Sequence, residues 1–177
     1  APVDVGFLAI WVEDVFVAGS YAYVASEHLG LRVVDISNPS APVVVGALDT
    51  PGYALDVFVS GTLAFVADGS AGLRVVDVST PSAPVEVGFM DDPGDAHDVF
   101  VSGSYAFVAV HLGLAILDVS NPSAPAWLAT IGTGIPAGGV FVVGPHAFVA
   151  AGVPGLRIVD VSIPSAPTHV GAFNTPD

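Results

Sequence analysis

The side chains best suited to chemistry in this sequence are carboxylates and imidazoles, and they are most concentrated in one short acidic stretch. Within eight residues the sequence places Asp91, Asp92, Asp95, His97 and Asp98. Hard cations such as calcium bind several oxygen ligands from a flexible loop, so Asp91, Asp92 and Asp95 are predicted as candidate calcium ligands. The spacing does not match an EF-hand loop, and a solvated acidic turn is the alternative interpretation.

A second set of carboxylates recurs at a regular interval. Asp14, Asp56 and Asp98 each begin a stretch of the form Asp-Val-Phe-Val, and carboxylates repeated in this way could surround the mouth of an axial channel. The fourth copy of the stretch has Gly139 in place of the aspartate. Alternatively, each carboxylate accepts hydrogen bonds from backbone N–H groups of the adjoining loop, a common role of short acidic side chains.

Three histidines, His28, His97 and His111, lie in segments that also differ between copies of the repeat. Together with nearby carboxylates, imidazoles could bind zinc or transfer protons. The sequence contains no HExxH motif, no G-x-S-x-G nucleophile motif and no phosphate-binding glycine loop, so no residue is predicted to be catalytic. A metal-dependent hydrolase that uses these histidines and the acidic stretch is the enzymatic alternative.

All of these residues are positioned by a repeat whose most constant part reads Leu-Arg-Val-Val-Asp-Val-Ser-x-Pro-Ser-Ala-Pro. Its copies occupy residues 31–42, 73–84, 114–125 and 156–167. Counted between the aspartates of successive copies, the steps are 42, 41 and 42 residues, the interval expected for one four-stranded propeller blade. These aspartates are predicted to accept hydrogen bonds from the Ser-x-Pro turn rather than to pair with the arginine three positions earlier.

Each repeat contains four short segments that are apolar on both faces, which is typical of strands in a sheet covered on either side by neighbouring sheets. The predicted fold is therefore an all-β propeller of four-stranded antiparallel blades, with units at 14–55, 56–97, 98–138 and 139–177. Residues 1–13 are predicted to add an extra outer strand and a loop. A closed ring of four blades is favoured; half of a larger ring made by two chains, or part of a longer array, is the alternative.

The repeat resembles the LVIVD repeat family of bacterial and archaeal β-propellers. The pattern G-L-R-V-V-D-V-S-x-P-S-x-P is carried by residues 30–42, 72–84, 113–125 and 155–167, and the preceding D-V-x-V-S-G-x-Y-A-x-V-A pattern by 14–25, 56–67, 98–109 and, more loosely, 139–150. The resemblance implies a propeller fold and a secreted or cell-surface location. It implies little about function, because one fold supports many functions.

In a four-stranded blade, the turns after strands one and three lie on one side of the ring, and this side is nearly identical in every copy. The loops after strands two and four lie on the opposite side, where the copies differ, and variable loops on a rigid scaffold are where binding is expected. We call this the variable side. Its predicted binding residues are Glu13, Asp14, Glu27, His28, Asp56, Asp68, Asp91, Asp92, Asp95, His97, Asp98 and His111.

Composition limits the partners. The 177 residues include 17 acidic residues, 3 arginines and no lysine, which gives a net charge of −14 and argues against nucleic acid. With no cysteine, disulfides and thiolate chemistry are excluded. Glycines and prolines interrupt the least charged segment, so no membrane span is predicted.

The function predicted from the sequence is a non-enzymatic binding or scaffold module that engages a protein, a peptide or a cation through its acidic variable side. No cofactor is expected other than calcium at the acidic stretch. The fourth copy replaces polar loop residues with Ile135, Pro136, Val153 and Pro154, an apolar sector that could dock a partner. The same sector could contact a second chain, and a homodimer is expected if one chain does not close the ring.

Overall fold

Four four-stranded antiparallel sheets, one for each sequence repeat, make up the computed structural model, which describes residues 6, 8–91, 94–152 and 155–174. In every sheet the strands pair in sequence order, so each repeat folds as a simple meander. The all-β propeller architecture of four-stranded blades predicted from the sequence is confirmed. Within the described residues, no helix is long and apolar enough to cross a membrane.

The strands are short, as the spacing of the turns requires. Blade 1 contains β1 (Asp14–Ala18), β2 (Tyr21–Ala25), β3 (Leu31–Asp35) and β4 (Val43–Leu48). Blade 2 contains β5 (Asp56–Ser60), β6 (Leu63–Ala67), β7 (Leu73–Asp77) and β8 (Val85–Met90). Blade 3 contains β9 (Ala96–Ser102), β10 (Tyr105–Val110), β11 (Gly113–Asp118) and β12 (Ala126–Gly132). Blade 4 contains β13 (Gly139–Val143), β14 (His146–Ala150), β15 (Leu156–Asp160) and β16 (Thr168–Phe173).

The turn between the third and fourth strands is held by the aspartate that ends the third strand. In blade 1 the backbone N–H of Ser37 donates to Asp35 Oδ1 at 2.8 Å. The same bond, at the same length, joins Ser79 to Asp77, Ser120 to Asp118 and Ser162 to Asp160. Hydrogen bonds from these serines lower the pKa of all four carboxyls. The predicted turn-capping role of these aspartates is confirmed.

Most of the core lies at three junctions between consecutive blades, and a smaller cluster lies between blade 1 and N-terminal residues. We call the face of a blade that is turned toward the preceding blade its leading face, and the opposite face its trailing face. At the first junction, Val57 and Val59 on the leading face of blade 2 pack against Tyr23, Leu31 and Val33 on the trailing face of blade 1. The other two junctions repeat this arrangement with equivalent residues. Burial on both faces explains why the strands are apolar throughout rather than alternating.

A column of phenylalanines joins the innermost strands of the four blades. Phe16, Phe58, Phe100 and Phe141 stack in that order, with ring centroids 5.0, 5.0 and 4.8 Å apart. These are favourable tilted aromatic contacts. The column has two ends, one at β1 and one at β13.

The ring is open. Each innermost strand packs beside the next one in sequence, but Val15 and Val17 on the leading face of β1 are 50% and 57% exposed. Their equivalents in β5, Val57 and Val59, are only 2% and 7% exposed. The closed four-bladed ring favoured from the sequence is therefore not what the structure shows: the last blade does not cover the first.

The extra N-terminal strand was predicted over residues of which 1–5 and 7 lie outside the described part of the chain. Leu8 and Ile10 pack on the leading face of blade 1 against Ala22 and Val24. A Cβ built on Gly6 would lie 2.0 Å from the carbonyl oxygen of Pro39. Gly46 makes the same approach to the corresponding proline of the next blade, so Gly6, Leu8 and Ile10 hold the place of the outer strand of a preceding blade.

Candidate binding site

The variable side contains a central depression to which all four blades contribute. Its volume is about 640 Å³. Glu13 lines it from blade 1, Leu55 from the loop that leads into blade 2, and His97 from blade 3. Pro136, Ala137, Gly138, Ala150 and Gly152 complete its wall next to blade 4. The depression therefore combines one carboxylate and one imidazole with an apolar wall.

The carboxylates at the starts of the innermost strands link the blades to one another. Asp14 Oδ2 accepts a hydrogen bond from the backbone N–H of Val57 at 3.3 Å, and Asp56 Oδ2 accepts one from Val99 at 2.7 Å. Asp98 Oδ2 accepts the equivalent bond from Val140. The alternative interpretation, that these aspartates cap backbone N–H groups, agrees with this geometry, although the capped group belongs to the next blade. Blade 4 has Gly139 at the equivalent position. In the open ring no blade follows blade 4, so no backbone N–H group needs a cap there.

Asp56 is the central member of this row and has the most perturbed carboxyl. Burial, together with hydrogen bonding to Asp98, its charge and hydrogen bonding to Asp14, raises the pKa of Asp56 to about 9. The hydrogen bond from Val99 opposes this shift only in part. At neutral pH Asp56 is therefore expected to be protonated, because burial and a neighbouring negative charge both disfavour its ionised form.

Glu13 and Trp11 form a pair at the edge of the central depression. The indole Nε1 of Trp11 donates to Glu13 Oε1 at 2.9 Å. Both side chains are exposed, so the Glu13 carboxylate is accessible to solvent. Trp11 itself was not among the residues predicted to bind.

The acidic stretch is divided by a salt bridge that the sequence did not predict. Asp91 Oδ1 accepts a hydrogen bond from Arg74 Nη2 at 2.7 Å, which neutralises the first of the three candidate calcium ligands. Asp92 lies outside the described residues, and Asp95 is exposed at the end of the loop. Within the described parts of the chain, no three His, Asp or Glu side chains are grouped so that they could hold a metal ion.

Asp68 is fully buried and fastens two loops together. It accepts hydrogen bonds from Thr50 Oγ1 at 2.5 Å and from the backbone N–H of Gly52 at 2.9 Å. Burial raises the pKa of Asp68, and these two hydrogen bonds together with the Arg74 charge oppose that shift. In this position the Asp68 carboxylate binds its own chain and is not presented to a partner.

Glu27 and His28 lie in the loop between β2 and β3. Glu27 has φ 43°, a left-handed conformation that a non-glycine residue rarely adopts, and the equivalent position in blade 2 is Gly69 with φ 55°. Its backbone exchanges hydrogen bonds with Ala54, which explains why the conformation is kept. The His28 ring packs against Tyr53, with centroids 4.3 Å apart. Both residues therefore stiffen the contact between neighbouring loops.

The three candidate histidines lie in different surroundings. His97 lines the central depression, His28 contacts Tyr53, and His111 lines a separate groove with Ile135 and Pro136. Of the predicted apolar sector, Ile135 and Pro136 are in these two hollows, while Val153 and Pro154 lie outside the described residues. Of the predicted binding residues that the structure describes, Glu13 and His97 are the two that line the central depression.

Each of the three arginines contacts a residue seventeen positions later in the chain. The sequence had predicted no partner for these arginines. Arg32 contacts Asp49 at 2.9 Å, and Arg74 contacts Asp91. Arg157 donates to Asn174 Oδ1 at 3.2 Å. Blade 3 has Ala115 at the arginine position and Gly132 seventeen residues on. The repeated seventeen-residue spacing, lost from both ends at once in blade 3, was the signal that could have identified these pairs.

Comparison with known proteins supports the family and the fold. The model of the LVIVD repeat matches residues 11–50, 51–92, 93–133 and 136–175. No protein of curated function matches the chain. Among solved structures, the computationally designed Ika8 protein superposes with a TM-score of 0.71 at 7% identity, covering 94% of this chain and 53% of Ika8. The computationally designed Ika4 protein gives 0.70 at 8% identity, covering 86% and 92%. The chain thus spans about half the length of Ika8, and these likenesses concern the fold alone.

Proposed function

The chain belongs to the LVIVD repeat family, and we propose that it is a non-enzymatic binding module whose central depression takes a cationic side chain of a protein or peptide. The observation that carries the proposal is the pairing of the exposed Glu13 carboxylate with the apolar wall formed by Leu55, Pro136 and Ala137. A guanidinium or ammonium group would replace Trp11 as the hydrogen-bond partner of Glu13. The aliphatic stem of the same side chain would lie along the apolar wall.

Charge favours such a ligand over an anionic one. The net charge of −14 produces a negative potential that attracts basic partners and raises their association rate. Arginine suits this depression better than lysine, because its planar guanidinium donates two parallel hydrogen bonds to a carboxylate. A second copy of the chain is also proposed as a partner, through a different surface, the two open ends of the blade array.

Calcium binding and hydrolysis, the other functions considered from the sequence, are not proposed. Asp91 is occupied by Arg74, and the three candidate histidines, His28, His97 and His111, lie in three different places. No observation in the described structure favours either activity over binding of a cationic side chain.

The proposal is tested with two short peptides that differ only in charge. Acetyl-Leu-Arg-Leu-amide and its citrulline counterpart would be titrated into the protein while Trp fluorescence is recorded, because the Trp11 indole leaves Glu13 when the ligand arrives. We expect saturable binding of the arginine peptide, weakened by added salt, and at least about tenfold weaker binding of the citrulline peptide.

A matched pair of variants locates the site. Glu13→Gln should weaken binding of the arginine peptide by about tenfold, which corresponds to loss of one charge-assisted contact. Glu86→Gln, in the outer strand β8, removes the same charge away from the depression and should leave binding unchanged. Equal losses in the two variants would show nonspecific attraction to an acidic protein and would refute the assigned site.

A further inference from the structure

The trailing face of blade 4 is exposed where the corresponding faces of the other blades are buried. Val170 and Phe173 of β16 are 55% and 63% exposed, and Phe141 at the end of the phenylalanine column is 58% exposed. Their equivalents in blade 2, namely Val87, Met90 and Phe58, pack against blade 3. The open end of the array therefore presents the same apolar surface that is covered at every internal junction.

The leading face of blade 1 is the complement of that surface. At each internal junction, a leading face with two valines in its innermost strand covers a trailing face of this kind, as Val57 and Val59 do for blade 1. Val15 and Val17 occupy these positions in β1 and are uncovered. The three internal junctions thus show which surface fits each open end, and one chain carries both halves.

From this match we infer that two copies of the chain associate head to tail, with the trailing face of blade 4 of one copy on the leading face of blade 1 of the other. The second copy is favoured over an unrelated partner because its blade 1 carries the same kind of proline turn that contacts the outer strand of the preceding blade at two internal junctions. At the first and second internal junctions the carbonyl oxygens of Pro81 and Pro122 approach Gly46 and Gly88 so closely that a Cβ on either glycine would lie 2.0 Å away, whereas blade 3 has Ala129 at this position. Gly171 is the equivalent glycine in β16, and Pro39 is the equivalent proline turn in blade 1.

The N-terminal segment competes for the same place. Gly6 already sits against Pro39, and Leu8 packs on Ala22 and Val24 as Leu48 packs at the first internal junction. In the assembled pair, β16 of the second copy takes the place that Gly6, Leu8 and Ile10 hold in the single chain. The segment therefore protects the leading face until another copy displaces it.

The junction between chains lacks one bond that the internal junctions have. Asp14, Asp56 and Asp98 each cap a backbone N–H of the following blade, whereas Gly139 in blade 4 has no side chain to cap the second copy. Displacing the N-terminal segment adds a further cost. Association is consequently expected to be reversible and to depend on protein concentration.

The first experiment measures the mass of the 177-residue chain by sedimentation velocity and native mass spectrometry. We expect a concentration-dependent increase toward twice the mass of one chain or, if the rotation does not close, toward longer head-to-tail oligomers. Val17→Asp and Val170→Asp should each weaken association at least about tenfold, because each buries a carboxylate in an apolar junction. Val85→Asp, equally exposed in β8 but outside both open ends, is the control and should associate normally.

Mixing the two disrupted variants tests the head-to-tail geometry. A mixture of isotope-labelled Val17→Asp and unlabelled Val170→Asp contains one pair of intact faces, so a mixed dimer should form although each variant alone is monomeric. Gly6→Val should expel the N-terminal segment from Pro39 and strengthen association. A wild-type chain that stays monomeric at every concentration, or a mixture that fails to form the mixed dimer, would overturn the inference.

The same measurements separate this inference from the proposed peptide binding, since the two use different surfaces. Circular dichroism establishes that each variant keeps its strand content before its mass is interpreted. Val17→Asp should still bind the arginine peptide through Glu13, and Glu13→Gln should still associate. The chain could therefore fail to associate and still bind the arginine peptide, or the reverse.

Discussion

Asp56 lies between two other carboxylates, Asp14 and Asp98, and combines two functions that normally oppose each other. As an acceptor from Val99 it holds blade 3 to blade 2, which favours the ionised form. Burial and the neighbouring carboxyls favour the protonated form and prevail, raising the pKa of Asp56 to about 9. A protonated carboxyl can keep its carbonyl oxygen on Val99 while its O–H donates to a neighbouring carboxylate, so both requirements are met.

The stability of the protein should therefore fall as the pH rises toward 9. A carboxyl whose folded pKa is raised stabilises the folded state most below its unfolded pKa of 3.8 and loses that contribution as the pH rises through the folded pKa of about 9. Asp56→Asn keeps an acceptor and a donor without the charge. Melting temperatures measured by circular dichroism between about pH 6 and pH 10 should decline for the wild type and stay level for the variant, with each kcal/mol worth roughly 2–4 °C.

Asp77→Asn is the control for this prediction, since the pKa of Asp77 is lowered and its carboxyl is already ionised over that range. It should retain the alkaline decline of the wild type. If the melting temperatures of the wild type and of Asp56→Asn changed in parallel with pH, the raised pKa would not belong to Asp56.

Between strands, the arginine pairs show how one repeated contact acquires different roles in different blades. Arg32 pairs with a carboxylate of Asp49 that is largely exposed. Arg74 is buried, lies over the Phe89 ring at 5.0 Å, donates to Asp91 and lies 3.7 Å from the buried Asp68. Arg74 is therefore the only one of these two arginines whose charge compensates a carboxylate removed from water.

Substitution of the two arginines by methionine should separate a surface pair from a buried one. Arg74→Met keeps the apolar contact with Phe89 but leaves Asp68 without its counter-charge, which costs about 3–5 kcal/mol when a buried pair is broken. Arg32→Met removes an exposed pair worth about 0–1 kcal/mol. Urea unfolding monitored by circular dichroism measures both, and similar losses in the two variants would show that Asp68 does not depend on Arg74.

For the molecule as a whole, the blades and their order could be predicted from the sequence because each blade repeats the same local pattern. The turn aspartates were predictable for the same reason: their partners lie two residues away. Contacts between residues farther apart were not. Arg74 and Asp91 belong to neighbouring segments seventeen residues apart, and the raised pKa of Asp56 depends on carboxyls from two other blades. The prediction of a closed ring was wrong because the sequence pattern does not fix the angle between successive blades. That angle determines how many blades are needed to close a ring.

The open ring has a consequence for two glycines that occupy the same position in different blades. A Cβ on Gly46 would lie 2.0 Å from the carbonyl oxygen of Pro81, whereas at Gly171 the nearest atom is the Ile158 side chain at 3.4 Å, an ordinary contact. In dilute solution, where single chains predominate, Gly46→Ala should therefore destabilise the protein by about 1–3 kcal/mol, because the first junction is overpacked. Gly171→Ala should change stability by less than about 0.5 kcal/mol, because the added Cβ makes only ordinary contacts at a half-buried site. Thermal unfolding of both variants decides between an open and a closed array: in a ring closed by one chain, Gly171 would press on Pro39 and the two substitutions would be equally harmful.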